Sequence, residues 1–277
     1  MRSKIVLCFL VSFAFVSGVQ ANTEENVSLR FMPAKAVDAQ SGEIELIRTE
    51  TEFSHKIKIK GSLPLRFALN SEYLSIENTT AVNLPAHLTA IGFDLETTLP
   101  FFNLKDTYFR LGLSPSFFSD DWNFRASAFR LPMRYLLIHK PNDKLTLVAG
   151  LAIYPDFKNK CWPILGFIYQ PNARFSFNLI PKKPNITYAL NEKIDLFAEG
   201  GLSFEEFEVT KDNLKNVVLS YQEMRLGTGM TYKINKFFKS SFLIGGAFNR
   251  RFQYRDSLGK VEIKDGLYSE FRIETEF

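Results

Sequence analysis

Apolar and polar residues alternate along most of the chain with a period of two. Within residues 63–73, one face is mainly apolar and the other carries Pro64, Arg66, Asn70 and Glu72. Residues 222–234 alternate in the same way, with Met224, Leu226 and Met230 on one face and charged or small residues on the other. A period of two is typical of β-strands, whose successive side chains point to opposite faces. The pattern predicts an all-β protein.

Clusters of Gly, Pro, Asn and Asp separate the alternating runs and supply the dihedral angles that hairpins need. They divide the chain into about 14 candidate strands, of which two, at residues 175–180 and 186–190, are short. A bacterial outer-membrane barrel has an even number of antiparallel strands. We therefore predict a single antiparallel transmembrane β-barrel of about 12 strands over residues 22–277, with 10 to 14 tolerated.

Prolines interrupt several of the runs. Pro132 lies inside a long run, and Pro100, Pro115 and Pro163 also fall at or near strand positions. Proline has no backbone N–H to give to a ladder, so we expect these residues at bulges, strand ends or segments above the membrane.

The first 21 residues have the layout of a secretory signal peptide. A short basic start with Arg2 and Lys4 precedes an apolar run from Ile5 to Val19, and Ala21 is a small residue at the expected cleavage point. The apolar run is shorter than the roughly 20 residues of a membrane-spanning helix. We predict cleavage after Ala21 and export. A single cysteine, Cys161, would remain, so the exported chain would not depend on an internal disulfide.

Composition favours a membrane barrel over a helical membrane protein. The chain has 28 Phe and 14% aromatic residues, yet its mean hydropathy is −0.08. After residue 21, no apolar stretch approaches the length of a spanning helix. Alternating strands combine many aromatic residues with neutral mean hydropathy. The strands are also long for a soluble protein, although a secreted or periplasmic β-sandwich stays open as the alternative.

The end of the chain resembles the terminal assembly signal of bacterial outer-membrane proteins. Phe277 is the last residue, and Ile273 and Phe271 alternate behind it on the same face. Thr275 departs from the usual apolar residue. The resemblance implies that Phe271, Ile273 and Phe277 are recognised by the barrel-assembly machinery.

A second resemblance covers residues 162–171, followed by Leu179-Ile180-Pro181 and Tyr188. This pattern is similar to that of a family of outer-membrane β-barrel proteins of unknown function. It implies a fold and a bacterial outer-membrane location, with membrane lipid and lipopolysaccharide as partners, and it implies no catalytic residues.

No catalytic, cofactor or metal motif stands out. His55, His87 and His139 are scattered and lack a neighbouring nucleophile motif, although histidine is the usual base near neutral pH. The pair Asp120-Asp121 reads as a solvated loop tip. The formal net charge of +4, with no concentrated basic excess, argues against nucleic acid as a partner. We predict no catalytic site, cofactor or metal, and the sequence does not predict an oligomeric state.

Charged residues on the polar face are candidates for the barrel lumen, where mixed signs would either line a small pore or form an ion-pair network that plugs it. These candidates are Arg48, Glu50, Glu52, Lys56, Lys58, Glu199, Glu223, Arg225, Arg272 and Glu274. Arg250, Arg251 and Arg255 fall near the outer end of a strand, where they are candidates for lipopolysaccharide phosphates.

The function predicted from this architecture is a passive channel for small solutes. Two alternatives remain: a structural or surface-interaction barrel with an occluded lumen, and a lipid-acting outer-membrane enzyme. Fold alone does not decide between them.

Overall fold

The chain folds as one closed ring of strands. The computed structural model describes residues 23–38, 41–59, 63–102, 104–122, 125–155, 157–211, 214–255 and 258–277, so the predicted signal peptide at residues 1–21 lies outside the described residues. The described ranges contain fourteen strands, three of which are interrupted. In chain order they are β1 (Thr23–Ala36), β2 (Glu43–Ile59), β3 (Leu63–Asn78), β4 (His87–Pro100), β5 (Thr107–Leu113 and Ser116–Ser119), β6 (Phe129–Arg130 and Met133–Asn142), β7 (Leu145–Ile153), β8 (Cys161–Tyr169), β9 (Phe175–Asn178), β10 (Asn185–Ala189), β11 (Ile194–Lys211), β12 (Leu214–Lys233), β13 (Phe238–Tyr254) and β14 (Lys260–Ile263 and Gly266–Glu276).

Each strand pairs antiparallel with the next, and β1 closes the ring by pairing with β14. Arg30 of β1, for example, lies opposite Arg48 of β2 and Glu270 of β14. Closure removes the sheet edges that lipid would leave without hydrogen-bond partners. The predicted antiparallel barrel is confirmed. Its fourteen strands exceed the expected twelve because both short candidate segments form strands, β9 and β10.

The apolar faces that alternation predicts for residues 63–73 and 222–234 point outward near their exposed leucines. Leu69 and Leu226, both on the apolar faces, are 55% and 63% exposed, and Leu165 and Leu267 are 70% exposed. Arg225, next to Leu226, points inward and is largely covered. An outward band of large apolar side chains is the surface that a barrel presents to acyl chains.

The first described strand begins and the last strand ends at the same end of the barrel, which we call the terminal end. The backbone N–H of Phe277 donates to the carbonyl oxygen of Thr23 at 2.9 Å. Connections at the terminal end span two to six residues, and those at the opposite end span two to nine. Short turns are typical of the periplasmic side and long loops of the outer side, so we call the opposite end the outer end.

Aromatic side chains surround the terminal end. The rings of Phe237 and Phe277 stack with their centroids 5.8 Å apart, and Phe175 lies 4.8 Å from Tyr188. Such rings are enriched where the hydrocarbon meets the headgroups, which places this end at a membrane interface.

The outer half of the barrel is narrower than the terminal half. At the outer end of β5, Ser119 forms a parallel bridge with Glu208 of β11, and the backbone N–H of Asp120 donates to the Glu208 carbonyl at 3.2 Å. The Asp120 carboxylate accepts from the Thr210 N–H at 2.9 Å, while burial raises the pKa of this carboxyl. This β5–β11 seam bypasses β6 to β10, so nine strands, β11–β14 and β1–β5, enclose the outer half of the described barrel.

A ring of about eight strands is just wide enough for side chains to fill, and the outer half is filled accordingly. We call its interior residues the outer apolar cluster. It includes Met32, Ile44, Leu46, Leu74, Leu88, Phe207, Leu219, Tyr221, Phe252, Tyr254 and Tyr268. The expectation of a polar interior therefore holds only for part of the barrel, because most inward side chains of the narrow outer half are apolar and buried.

The prolines lie where their missing N–H is tolerated. Pro115 and Pro132 fall in the interruptions of β5 and β6, and Pro100 is the last residue of β4. Pro163 is inside β8. The carbonyl oxygen of Phe167 in the same strand accepts from the N–H of Leu179, so the backbone groups of the odd-numbered residues of β8 point towards β9. The β8–β9 ladder pairs only Ile168 and Tyr169 of β8. Pro163 therefore pairs with Leu151 of β7, while its missing N–H faces the side of β8 that has no ladder partner in β9.

None of the helical segments in the described part of the chain has the length and apolar character that a membrane-spanning helix needs.

Candidate functional site

Ten charged side chains form a layer inside the barrel, next to the outer apolar cluster. We call this layer the charged belt, and its members are Arg30, Arg48, Glu50, Glu72, Glu199, Glu205, Glu223, Arg225, Glu270 and Arg272. They come from β1, β2, β3, β11, β12 and β14. The alternation of these strands places all of them on the inward face.

Arg48 is the centre of the belt. Its guanidinium lies 2.6 Å from Glu50, 2.8 Å from Glu72 and 2.5 Å from Glu205. Glu50 and Glu72 are on β2 and the neighbouring β3, but Glu205 is on β11. Because β12, β13, β14 and β1 separate β11 from β2 around the wall, the pair Arg48–Glu205 crosses the lumen.

A second pair also joins strands that are not neighbours. Arg272 of β14 donates to Glu199 of β11 at 2.8 Å, and it also reaches Glu270 at 2.5 Å. Glu270 in turn accepts from Arg30 of β1 at 2.6 Å. The belt is therefore one connected network that runs across the lumen from β11 to β14, β1, β2 and β3.

The belt carries six carboxylates and four guanidinium groups, and most of them are withdrawn from water. Arg30 is 3% exposed and Glu223 2%. Isolated buried charges cost several kcal/mol each, so they persist only where paired and hydrogen-bonded. The ion pairs of the belt therefore join strands on different sides of the barrel across the lumen.

Neighbouring small and polar residues complete the belt. A side chain at Gly201 would meet the Arg225 guanidinium at 2.8 Å, so the glycine allows Arg225 to lie against β11. Arg225 also donates to Ser203 at 3.1 Å and to Glu223. The Tyr221 hydroxyl, at the edge of the outer apolar cluster, donates to Glu223 at 2.7 Å. The two layers are thus continuous.

We call the part of the lumen between the belt and the terminal end the vestibule, and its inward charged side chains are partly exposed. There, ion pairs mostly join neighbouring strands: Glu24 pairs with Lys56, Glu52 with Arg66, and Asp195 with Lys233 at 2.8 Å. Lys56 is 53% exposed and Glu52 42% by side chain. These pairs run along the wall, whereas pairs of the belt cross the lumen.

The structure separates the lumen candidates predicted from sequence into two groups. Arg48, Glu50, Glu199, Glu223, Arg225 and Arg272 are in the charged belt, whereas Glu52, Lys56, Lys58 and Glu274 lie nearer the terminal end. Four belt residues were missed: Arg30, Glu72, Glu205 and Glu270. Their positions in the alternation carried the necessary signal, because each lies on the inward face of its strand.

The predicted basic rim does not form as one surface. Arg251 points outward and donates to Gln222 at 2.6 Å, and Arg255 pairs with the buried Glu206. Arg250 departs from the expectation, since it is 1% exposed inside the barrel. A bulge at Asn249 reverses the alternation in β13 and turns Arg250 inward.

The three histidines lie apart on outward-facing positions. His55 pairs with the Thr23 hydroxyl at 2.9 Å and His139 with that of Thr107 at 3.0 Å, both near the terminal end. His87 stacks on Tyr73 at the other end. Over the described ranges, no three His, Cys, Asp or Glu residues are grouped as a metal ion would need.

The residues of the predicted assembly signal end the last strand. Phe271 and Ile273 pair with Leu29 and Val27 of β1, and Phe277 packs on Phe237 and Phe238. They form the closing seam of the barrel. Recognition by the assembly machinery stays a prediction.

Comparison with known families gives one assignment. Residues 46–273 match a family described as a domain of unknown function, DUF6268. The chain belongs to this family. The match runs from β2 to the terminal strand and includes every belt residue except Arg30. No match was found among curated proteins.

Solved structures similar to this chain include outer-membrane channels. The COG4313 outer membrane channel from Pseudomonas putida F1 has a TM-score of 0.50 at 10% identity, covering 94% of this chain and 97% of the other. The toluene transporter TodX from P. putida has a TM-score of 0.44 at 9% identity, with 96% and 92% covered. The KdgM porin in complex with oligogalacturonate has a TM-score of 0.39 at 12% identity, with 91% and 99% covered.

At such identities the likeness concerns the fold. The shared fold is a porin-like β-barrel, and it points to a bacterial outer-membrane location with a lipid and lipopolysaccharide environment.

Proposed function

We propose that this protein is an outer-membrane channel for small solutes whose axial path is closed by the charged belt and the outer apolar cluster. The observation that carries the proposal is the ion pair from Arg48 on β2 to Glu205 on β11, 2.5 Å long, which crosses the lumen. A passive pore would keep its charged residues along the wall.

The contrast between the two halves of the barrel supports a gate. The vestibule is lined by exposed charged pairs, which can contact water and polar solutes. The outer apolar cluster, in which Leu46, Leu74 and Leu88 are fully buried, is packed mainly with apolar side chains. Solutes in the vestibule therefore reach a barrier at the belt, and passage requires the belt pairs to separate and the outer apolar cluster to open.

The similarity to the COG4313 outer membrane channel supports this proposal at the level of the fold alone, because the two chains share 10% identity.

The test is single-channel conductance of the refolded full-length mature barrel in planar bilayers. We expect the wild type to be closed most of the time, with brief openings. Arg48→Ala removes the crossing pair, and we expect it to raise the open fraction at least tenfold, which corresponds to about 1.4 kcal/mol between the closed and open states. Glu205→Gln weakens the same pair with less disturbance and should act in the same direction. Lys58→Ala, on the same strand as Arg48 but outside the belt, should behave as wild type.

Each other outcome has a definite meaning. Steady, large openings of the wild type would contradict closure and favour a passive pore. Silence from folded wild type and both belt variants would contradict the channel and favour an occluded barrel with a structural or surface-interaction role.

A further inference from the structure

Three neighbouring strands are irregular at the same height near the outer end. The β1–β2 ladder shifts between Met32 and Lys35, and β14 is interrupted between Ile263 and Gly266. In β13, Asn249 has a φ of 49° beside a shift in the β12–β13 register. Bulges concentrate at barrel rims and beside functional sites, where they redirect a side chain.

The irregularity in β13 redirects Arg250. Below it, Ser241, Leu243 and Ala247 point inward, so regular alternation would turn residue 250 towards lipid. The extra residue, held in a left-handed conformation that favours Gly or Asn, reverses the alternation. Arg250 and Phe252 therefore point inward.

Arg250 has few partners for a buried cation. It is 1% exposed, and its Nη2 donates to the backbone carbonyl of Lys264. Its Nε and Nη1 have no hydrogen-bond partner. Over the described ranges, no carboxylate forms an ion pair with Arg250.

A second cation lies beside it. A Cβ atom at Gly266, between the two strands, would be 2.8 Å from Arg250 Nη2 and 2.8 Å from Lys35 Cε. The glycine therefore lets the side chains of Arg250 and Lys35 approach from opposite sides. Lys35 also forms no ion pair with a carboxylate in the part of the chain that the structure describes.

Arg250 and Lys35 are neighbouring cations, and no carboxylate of the described residues pairs with either of them. A buried charge without a counter-charge is strongly unfavourable, and the free N–H groups of Arg250 add the cost of unmade hydrogen bonds. A guanidinium with two free donors matches the oxygens of a tetrahedral oxyanion, and a lysine adds a second positive charge.

We propose that Arg250 and Lys35 form a binding site for a phosphate group inside the outer end of the barrel. The phosphate belongs either to a free ion or solute or to a lipopolysaccharide headgroup. The site is independent of the gate at the charged belt, so it stands or falls separately from the proposed channel.

The first probe is inorganic phosphate, titrated by calorimetry into the folded barrel in detergent at low ionic strength. We expect saturable binding by the wild type and at least about a tenfold loss of affinity in Arg250→Met. The matched control is Arg251→Met, because Arg251 is the next residue and points outward to Gln222. It should bind phosphate as the wild type does. Lys35→Met serves as the second test if Arg250→Met does not fold.

The second probe is bilayers containing lipid A with or without its phosphates. The readout is the temperature at which the folded, fast-migrating gel band is lost. A rise with inorganic phosphate indicates a free ion or solute, and a rise only with phosphorylated lipid A indicates a headgroup. Either rise should be absent in Arg250→Met. No response of the wild type to either probe, or an equal response of Arg250→Met, would overturn the proposal.

Discussion

At the residue scale, alternation predicts where a side chain points until a bulge intervenes. It placed Arg48, Glu199 and Arg225 correctly on the inward face because their strands are regular around them. It failed for Arg250, since one extra residue at Asn249 moves all later residues of β13 to the opposite face. The residue types at Asn249 and beside it do not predict the bulge. It becomes visible only in the pairing of β13 with β12 and β14.

Arg48 provides the residue-scale prediction. Its side chain is 5% exposed and serves Glu50, Glu72 and Glu205. Arg48→Ala leaves three carboxylates without their shared cation, so we expect it to lower the free energy of unfolding by about 3–5 kcal/mol. Lys58→Ala, whose side chain is exposed on the same strand, should change it by less than about 0.5 kcal/mol. Urea unfolding in lipid vesicles, followed by gel migration, measures both. Equal effects would contradict the paired belt.

At the element scale, the strands could be predicted from the sequence. That nine of the fourteen strands enclose the outer half could not. Period-two alternation and turn residues identify most strands, including the short β9 and β10. The seam between β5 and β11 depends on Ser119 and Glu208, which are 89 positions apart in the chain, and no local pattern encodes such a contact. Alternation alone therefore assigned the polar face of the strands to the lumen, whereas the bypass of β6–β10 makes the outer half a mainly apolar packed core.

Phe207 tests that seam. Its side chain is fully buried, and its ring lies 5.7 Å from that of Phe118 on β5. Phe207→Ala would leave a cavity where the two strands meet, so we expect a loss of about 3–5 kcal/mol in the free energy of unfolding. The control is Phe102→Ala, in a terminal-end turn where the ring is 82% exposed, with an expected change within about 0.5 kcal/mol. A loss in Phe207→Ala no larger than in the control would show that the seam does not hold the outer half together.

At the scale of the whole molecule, the barrel has three levels along its axis. The vestibule is polar and open to the terminal end, the charged belt crosses the lumen, and the outer apolar cluster fills the rest. The first two were foreseen as alternatives, a lined pore or a plugging network, because the same charged residues serve both. Which pairs cross the lumen depends on barrel diameter, and diameter follows from strand number and tilt, which the sequence does not specify closely.

The three levels predict a gradient of water access that single cysteines can report. In a Cys161→Ser background, Lys56→Cys lies in the vestibule, where the Lys56 side chain is 53% exposed, and should react with a charged, membrane-impermeant thiol reagent. Leu74→Cys, at a fully buried position in the outer apolar cluster, should react at least about tenfold more slowly, because reaction requires local opening.

Combining Leu74→Cys with Arg48→Ala links this access to the gate. Separation of the crossing pair should speed the reaction at residue 74 while leaving the rate at residue 56 unchanged. Leu69→Cys, on the lipid-facing side, should respond only to an apolar reagent, which controls for loss of the fold. If Leu74→Cys already reacts as fast as Lys56→Cys in the wild-type belt, water fills the outer half and the closed state is wrong. If Arg48→Ala has no effect, the apolar cluster alone forms the barrier and the belt serves stability.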